Sequence, residues 1–382
     1  DMAIFRHSAP GLPPLSNYEN SFLPFAGSGL KVAHLDSGGD LQAARRALAN
    51  PWPQPMKIWP PTVPVRLGWA RNTLDLVSPS DRLAQARGAE LAVIAVMRNE
   101  GFMLTHFLNH YRGLGVGAFL VADNGSDDGT LEMLVSQPDV TVFSTDTPYN
   151  ESRYGVLWQE ALLANFRQGR WSLVADADEF LFWSLPDPQG RVTGDLPGLL
   201  RGPAHHGADM VRLSMLDLYP PGPLSEARFA LGPFTEATHI DRAPLRFDYA
   251  GRGPWGNCDS VTSNLRHRLM EAMGQPAARN LFVAQKYALM RYQPWMQFSA
   301  GLHYAVGGKV ADRALAFAHF KYNSEFHAKA QAEVARGQHF NNAEEYGKYL
   351  ALLSEGRDTL FAPDVSVPLA ESPFLRDMVA LR

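Results

Sequence analysis

The chain has 382 residues with a formal net charge of -4, and 46% of its residues are hydrophobic and 11% aromatic. This composition excludes a predominantly disordered chain, and the charge balance excludes the basic field expected of a protein that binds nucleic acid or an anionic membrane surface. The single cysteine, Cys258, excludes an intrachain disulfide and a cysteine-based zinc site. No apolar run reaches the roughly 18 to 20 residues of a transmembrane helix, so we expect a soluble, cytoplasmic protein.

Residues 1–88 are rich in proline and glycine, in segments such as GLPPL, NPWPQP and WPPTVPV. One helix is predicted there, at 41–50 (LQAARRALAN). The same region contains Trp52, Trp59 and Trp69, and a solvated linker gains little from large aromatic side chains. We therefore expect an irregular N-terminal extension that wraps around the main domain.

From residue 89 onward, strand and helix patterns alternate. The predicted strands are 91–96 (LAVIAV), 118–123 (AFLVAD), 140–145 (VTVFST) and 171–178 (WSLVADAD). Helices are predicted between them at about 103–114, 126–137 and 153–168. Apolar strands joined by helices are typical of an α/β fold, here a doubly wound, mainly parallel sheet with helices on both faces. The main domain is expected at 89–325, and residues 326–382 are expected to form a helical C-terminal tail.

Polar residues follow each of these four predicted strands. The four polar segments are 98–100 (RNE), 123–128 (DNGSDD), 145–150 (TDTPYN) and 176–179 (DADE). In an open α/β sheet, the ligand crevice lies beyond the carboxyl ends of the strands. The segments are therefore expected to meet at one edge of the sheet and to form a binding site.

Asp176 and Asp178 are two residues apart, so in an extended backbone their side chains project from the same face. Hard carboxylate ligands at the end of a buried strand suit Mg²⁺ or Mn²⁺ with a phosphate-bearing substrate. An Asp-x-Asp tripeptide occurs often by chance, so its context has to support the prediction.

The context consists of VMRNEGFMLTHFLNHYRGLGVGAFLVADNGSDDGT at 96–130, followed by DADEF at 176–180. These motifs resemble the glycosyltransferase family 2-like proteins of the GT-A fold, over about residues 90–182. A later element, LAFAHFKY at 315–322, resembles the segment that supplies a third metal ligand in many such enzymes. The resemblance implies a GT-A-type domain with a nucleotide half at 89–182 and an acceptor half at 183–325.

The resemblance also implies roles for residues of the nucleotide half. Glu100 and Asp123 would contact the ribose and base of a nucleotide sugar, with Arg98 and Asn99 alongside them. Without the resemblance, the sequence around Asp123 is more typical of a turn than of a ligand-binding site. Asp176 would face the ribose or bind the metal through water.

The resemblance implies a binding site for Mn²⁺ or Mg²⁺. Asp178 would bind the ion directly, and His319 would complete the set of metal ligands. In an extended FAHFK segment, Lys321 shares a face with His319 and would reach the diphosphate. Two alternatives stay open: His319 as a core histidine bonded to a carbonyl, and His303 as a competing third ligand.

A transferase that inverts configuration needs a carboxylate base to accept the proton of the attacking hydroxyl. The acceptor half offers several candidates: Asp217, Glu236, Asp241, Asp248 and Asp259. We favour Asp259, which precedes a helix predicted to begin in SVTSNLRHRL, and place Asp248 second.

The predicted function is metal-dependent transfer of a sugar, with a UDP-sugar as the favoured donor, to an acceptor hydroxyl with inversion. The acceptor class stays open between a glycan, a lipid-linked glycan, a protein and a small molecule, and association with a second copy is possible. Two alternatives remain, a nucleotidyltransferase and a catalytically degenerate binding or scaffold module. The first is disfavoured because MRNEGF, not a glycine-rich basic loop, follows the first strand.

Overall fold

The computed structural model describes residues 4–7, 31–32, 56–59, 73–253, 256–275, 282–293, 296–354 and 356–375. The helix predicted at 41–50 lies outside the described residues. No helix in the described part of the chain combines the length and the hydrophobicity needed to cross a membrane.

The helices and strands are numbered in chain order. The first strands are β1 (Ile4–His7), β2 (Lys31–Val32), β3 (Met56–Trp59), β4 (Thr73–Leu76), β5 (Leu91–Met97), β6 (Ala118–Asp123), β7 (Val140–Ser144), β8 (Trp171–Val174) and β9 (Glu179–Phe182). The later strands are β10 (Met210–Asp217), β11 (His239–Asp241), β12 (Leu245–Gly253), β13 (Gly256–Ser263), β14 (Gln285–Arg291), β15 (Gln297–Phe298), β16 (Ala305–Val306), β17 (Leu315–His319) and β18 (Ser366–Pro368). The α-helices are α1 (Arg82–Gly88), α2 (Gly101–Gly113), α3 (Thr130–Ser136), α4 (Val156–Phe166), α5 (Leu196–Arg201), α6 (Pro233–Glu236), α7 (Asn264–Ala272), α8 (Phe326–Arg336) and α9 (Phe340–Ser354).

A ten-stranded mixed sheet organises the molecule, in the order β2-β4-β7-β6-β5-β8-β14-β10-β17-β9. The strands β7, β6, β5 and β8 run parallel to one another, while β14 and β9 run antiparallel to their neighbours. The strand order reverses at β5, which has β6 on one side and β8 on the other. The predicted α/β class with a doubly wound sheet is confirmed, and its ligand crevice is expected where the order reverses.

The sequence pattern explains how the sheet is covered. Every residue of β6 is buried, as are all but one of β5, because helices lie on both sides of these strands. On α2, the residues Met103, Phe107 and Tyr111 are buried at helical spacing against the sheet, as predicted. Helix α4 is buried on almost every side, which is typical of a helix that is apolar all round.

The strand predicted at 171–178 ends earlier than expected. β8 stops at Val174, and the backbone N–H of Glu179 donates to the carbonyl of Asp176 at 3.0 Å, which closes a turn. The prediction that Asp176 and Asp178 share one face of a strand is therefore wrong. The turn directs the two carboxylates to different partners.

The C-terminal helices pack on the main domain through a second cluster of buried side chains. This cluster contains Tyr219, Leu224, Leu265, Leu269, Met270, Phe282, Tyr322, Phe326, Tyr349, Leu352 and Leu360. It joins α7 to α8 and α9, while β18 pairs with β11. At the other end of the chain, β4 pairs with β7, so residues before position 89 also belong to the main sheet.

Candidate functional site

Six strands of the main sheet bring their carboxyl ends to the same edge, because β5, β6, β7, β8, β10 and β17 point in one direction. β10 ends at Asp217 and β17 ends at His319, and these two residues are register partners. His319 Nδ1 lies 2.7 Å from Asp217 Oδ1. Neighbouring parallel strands thus place a carboxylate directly beside an imidazole.

The other ring nitrogen of His319 faces Asp178. His319 Nε2 lies 3.5 Å from Asp178 Oδ2, and the backbone N–H of Phe320 donates to the Asp178 carbonyl at 2.8 Å. The side chains of Asp178 and His319 are 16% and 8% exposed, so solvent only partly reaches the gap between them. Because Asp217 fixes the imidazole through Nδ1, Nε2 is presented to Asp178.

The charges around this triad are tightly coupled. Burial alone would lower the pKa of His319, but the Asp178 and Asp217 carboxylates outweigh it and raise that pKa to about 9. Burial alone would raise the pKa of Asp178, but His319 and the nearby lysine ammonium groups outweigh it and hold that pKa well below its usual range. Arg266 donates to both carboxylate oxygens of Asp217, at 3.0 Å each. The Asp178 carboxylate is consequently ionised in a partly dry site.

Asp178 and His319 are chemically suited to hold a divalent cation. In the described ranges, no three His, Cys, Asp or Glu side chains lie together as a complete metal-binding group. Mg²⁺ and similar ions, however, are commonly held by one or two protein ligands together with substrate phosphates and water. An ionised carboxylate opposite an imidazole that a second carboxylate orients fits such an ion, which would displace the proton from His319 Nε2 on binding.

Asp176 does not join this pair. Lys286 Nζ lies 2.9 Å from Asp176 Oδ2 and 2.5 Å from Glu179 Oε1, so one ammonium bridges two carboxylates. The Asp176 side chain is 48% exposed, whereas Glu179 is buried. In the structure, Asp176 is therefore a half-exposed carboxylate held by Lys286 rather than a neighbour of His319.

His303 is also placed apart from Asp178. Its Nδ1 donates to the Gln285 carbonyl at 2.8 Å, and burial lowers its pKa to about 4. Of the two candidate histidines, His319 is the one that contacts Asp178.

Asp123 is fully buried at the end of β6, where its carboxylate organises the following turn. Asp123 Oδ2 accepts from the backbone N–H groups of Gly125 and Ser126, at 3.1 Å each. The Ser126 hydroxyl donates to Asp123 Oδ1. The turn interpretation of Asp123 thus accounts for its visible bonds, and its contact with a nucleotide remains a prediction.

The loops after β5 and β6 are joined by side-chain bonds. Asn99 has a left-handed backbone (φ 54°), a conformation that asparagine tolerates better than most residues. Its Nδ2 donates to Asp127 Oδ1 at 2.7 Å, and its Oδ1 accepts from the Asp127 N–H at 2.9 Å. Arg98 donates from Nη1 to the Asn124 carbonyl at 2.6 Å. The predicted pair Arg98 and Asn99 therefore supports the crevice wall.

Glu100 lies at the start of α2, and its Oε1 is 2.8 Å from Nζ of Lys329 on α8. Burial raises the pKa of Glu100 to about 7, although Lys329 opposes that rise. The contact between Lys329 and Glu100 was not predicted from the sequence. The signal available was the spacing of seven residues between Lys329 and Arg336, which places the two cations on one helix face.

Lys321 departs from its predicted position. Its Nζ lies 3.0 Å from Glu345 Oε1 and within 5 Å of the ring centres of Tyr346 and Tyr349, at 4.6 and 4.8 Å. β17 ends at His319, so Lys321 lies beyond the extended segment that was expected to align the two side chains. Lys321 belongs to a buried charge network with Glu345 and Arg266, and it also interacts with Asp178.

Three of the candidate bases are bound in structural contacts. Asp217 binds His319 and Arg266. Glu236 accepts from the backbone N–H groups of Phe229 and Leu231. Asp241 binds Arg268 and the Tyr219 hydroxyl. The remaining two lie on the β12–β13 hairpin, where Asp248 is opposite Ser260 and Asp259 is opposite Tyr249. Their side chains lie outside the described part of the structure, so both stay predictions. The helix expected near them begins at Asn264, with Ser263 as its N-cap.

Comparisons with known proteins give remote structural likenesses. No protein-family model and no curated protein matches the chain. The S. aureus TarS structure has 16% identity and a TM-score of 0.30, over 69% of this chain and 42% of TarS, so the match spans less than half of that protein. Mannosyltransferase PcManGT from Pyrobaculum calidifontis, in complex with GDP-Man and Mn²⁺, has 13% identity and a TM-score of 0.30, over 89% of this chain and 79% of that one.

A third structure, 4-diphosphocytidyl-2C-methyl-D-erythritol synthase, has 18% identity and a TM-score of 0.22, over 51% of this chain and 91% of that one. At these identities and TM-scores, we transfer no function from these proteins. The function is inferred from the residues of the site.

Proposed function

We propose that this protein is a metal-dependent glycosyltransferase that moves a sugar from a nucleotide-diphosphate sugar to an acceptor hydroxyl. The observation that carries the proposal is the Asp178–His319–Asp217 arrangement at the carboxyl ends of the sheet, beside the loops that follow β5 and β6. Crevices in this position of doubly wound sheets bind nucleotides and other phosphate-bearing ligands.

Asp178 and His319 would hold Mn²⁺ or Mg²⁺. When bound, the ion would act as a Lewis acid that stabilises negative charge on the leaving diphosphate. Asp217 keeps the imidazole in position through its 2.7 Å bond to Nδ1. Asp176, half exposed and held by Lys286, suits a contact with ribose hydroxyls better than direct metal binding.

Arg98, Asn99, Glu100 and Asp123 would form the nucleoside side of the crevice, and we favour UDP as the nucleotide. Asp259 is the proposed base, with Asp248 second, and would accept the proton of the acceptor hydroxyl as that oxygen attacks the anomeric carbon. This attack would invert the configuration of the sugar. The hairpin that carries both aspartates follows β11 in the acceptor half.

Incubation with a nucleotide sugar and Mn²⁺, without acceptor, tests the proposal. A glycosyltransferase is expected to release the nucleoside diphosphate slowly by transferring the sugar to water, and Asp178→Asn should abolish that release. A nucleotidyltransferase would instead consume a nucleoside triphosphate and release pyrophosphate. Failure to release product from either substrate class would favour the binding or scaffold module.

A further inference from the structure

Helix α8 lies across the edge of the sheet where the nucleotide crevice is expected. Lys329 contacts Glu100 after β5, at 2.8 Å. Arg336 Nη2 donates to Asn124 Oδ1 after β6, also at 2.8 Å. Gln338, just past the helix, accepts from the Tyr149 N–H after β7 at 2.9 Å. One helix and the residues that follow it therefore contact the ends of three successive parallel strands.

Lys329 is the cation of α8 nearest the proposed metal ligands. Its ammonium is bonded to Glu100 and also interacts with the Asp178 carboxylate. Its side chain is 36% exposed, so a ligand in the crevice can reach it. Lys321, in contrast, is bonded to Glu345 with an 11% exposed side chain. Lys321 also interacts with Asp178, so what distinguishes Lys329 is that its ammonium is open to a ligand in the crevice.

The second cation of α8 approaches another positive charge. Arg336 and Arg98 both donate to Asn124, one to its side-chain oxygen and the other to its carbonyl. In the described ranges, no carboxylate forms an ion pair with Arg98, and Arg336 pairs with Glu333 at 3.6 Å. The two guanidinium groups are thus held close together by uncharged oxygens of Asn124. Together they give a local positive potential that favours an anionic ligand.

We propose that α8 forms the outer wall of the donor crevice and that Lys329 binds the diphosphate of the donor. On donor binding, the ammonium exchanges its bond to Glu100 for bonds to phosphate oxygens, which are good ligands for lysine. Arg336 and Arg98 keep the other end of the wall positive. This inference rests on the proposed function, since it assumes that the crevice takes a nucleoside diphosphate.

Calorimetric titration at pH 8 with Mn²⁺ tests the contact, with UDP and GDP as phosphate-bearing probes and uridine and guanosine as phosphate-free probes. We expect Lys329→Gln to weaken diphosphate binding about tenfold or more and to leave nucleoside binding unchanged. Lys329→Arg keeps the charge and should retain most of the affinity. Lys348→Gln is the matched control, because it removes one charge from the neighbouring helix α9, where Lys348 pairs with Glu344.

Glu100→Gln tests the same contact without removing the lysine. It releases Lys329 from its carboxylate, so the affinity for UDP and GDP should rise, and this gain should be absent when Glu100→Gln is combined with Lys329→Gln. Diphosphate affinity that is unchanged in Lys329→Gln, or equal losses for diphosphate and nucleoside, would overturn the inference alone. A native protein that binds neither UDP nor GDP would overturn both this inference and the proposed function.

Discussion

Asp217 and His319 end neighbouring parallel strands as register partners, and Asp217 Oδ1 lies 2.7 Å from His319 Nδ1. The residues are 102 positions apart in the chain. Two strand ends thus fix the orientation of the imidazole relative to Asp178. Asp217 is therefore a positioning residue, and the Arg266 guanidinium behind it keeps its carboxylate ionised.

Replacement of Asp217 should weaken metal binding. We expect Asp217→Asn to lower Mn²⁺ affinity by about 10- to 100-fold, because the imidazole loses the acceptor that orients it. Asp241→Asn is the matched control, because Asp241 is also a buried carboxylate paired with an arginine. That arginine, Arg268, lies on α7 together with Arg266, the partner of Asp217. Both variants should lose stability, and Mn²⁺ titration followed by calorimetry separates them. Equal Mn²⁺ affinity in Asp217→Asn and native protein would contradict the positioning role.

The sequence predicted the central strands well because their physical signal is local. The runs LAVIAV and AFLVAD are continuous and apolar, and both form buried strands at or within one residue of the predicted bounds. The family resemblance, rather than periodicity, paired Asp178 with His319; the two side chains lie 3.5 Å apart, and their role as metal ligands stays a prediction.

The remaining features depend on contacts between distant segments. The turn after Val174 separates Asp176 from Asp178, and Lys286 on β14 bridges the carboxylates of Asp176 and Glu179 across it. The Lys329–Glu100 contact joins residues 229 positions apart. No local pattern encodes such pairings, so these contacts became visible only in the folded chain.

Arg167 should be important for stability. It is fully buried, and its guanidinium donates to the neutral carbonyls of Ala86, Ala89 and Trp171 at 2.7 to 2.8 Å. We expect Arg167→Met to lower the free energy of unfolding by about 3 kcal/mol, because buried carbonyls lose their donors. Arg170→Met, at an exposed position nearby, should change it by less than about 0.5 kcal/mol. Urea unfolding measures both, and similar losses in the two variants would contradict this account.

His110 should make the protein less stable in mild acid. Burial lowers the pKa of His110 to about 4, although its Nε2–H donates to the Leu181 carbonyl at 2.8 Å. The unfolded chain, with a histidine pKa of about 6.5, binds more protons below that pH than the folded chain does. Stability contributed by neutral His110 is therefore present above about pH 6.5 and is lost as the pH falls toward 4, by about 2 kcal/mol at pH 5.

The variant that tests this contribution is His110→Gln, which can keep the bond to Leu181. Between pH 6.5 and 5, its thermal midpoint should fall less than that of the native protein. His206→Gln, at an exposed histidine, should behave like the native protein. An identical pH dependence in His110→Gln and native protein would rule out the assigned contribution.

The assignment of the base predicts a specific kinetic defect. Asp259→Asn should reduce kcat by roughly 10²- to 10⁴-fold with little change in donor affinity, because a general base acts on the chemical step. Asp248→Asn should have the smaller effect. Sugar transfer to a hydroxyl acceptor under single-turnover conditions measures the step. Full turnover in Asp259→Asn would remove Asp259 as the base and leave Asp248 to be tested.

The central claim is that Asp178 and His319 hold a metal ion for a nucleotide-sugar donor, and a thermal-shift screen tests it most directly. UDP, GDP, CMP and their sugars are compared with and without Mn²⁺ on the native chain and on Asp178→Asn. At about 100 times Kd, one nucleotide should stabilise the native protein by about 2.7 kcal/mol only when Mn²⁺ is present, and this stabilisation should be lost in the variant. No stabilisation by any nucleotide with Mn²⁺, or equal stabilisation of both proteins, would contradict the claim.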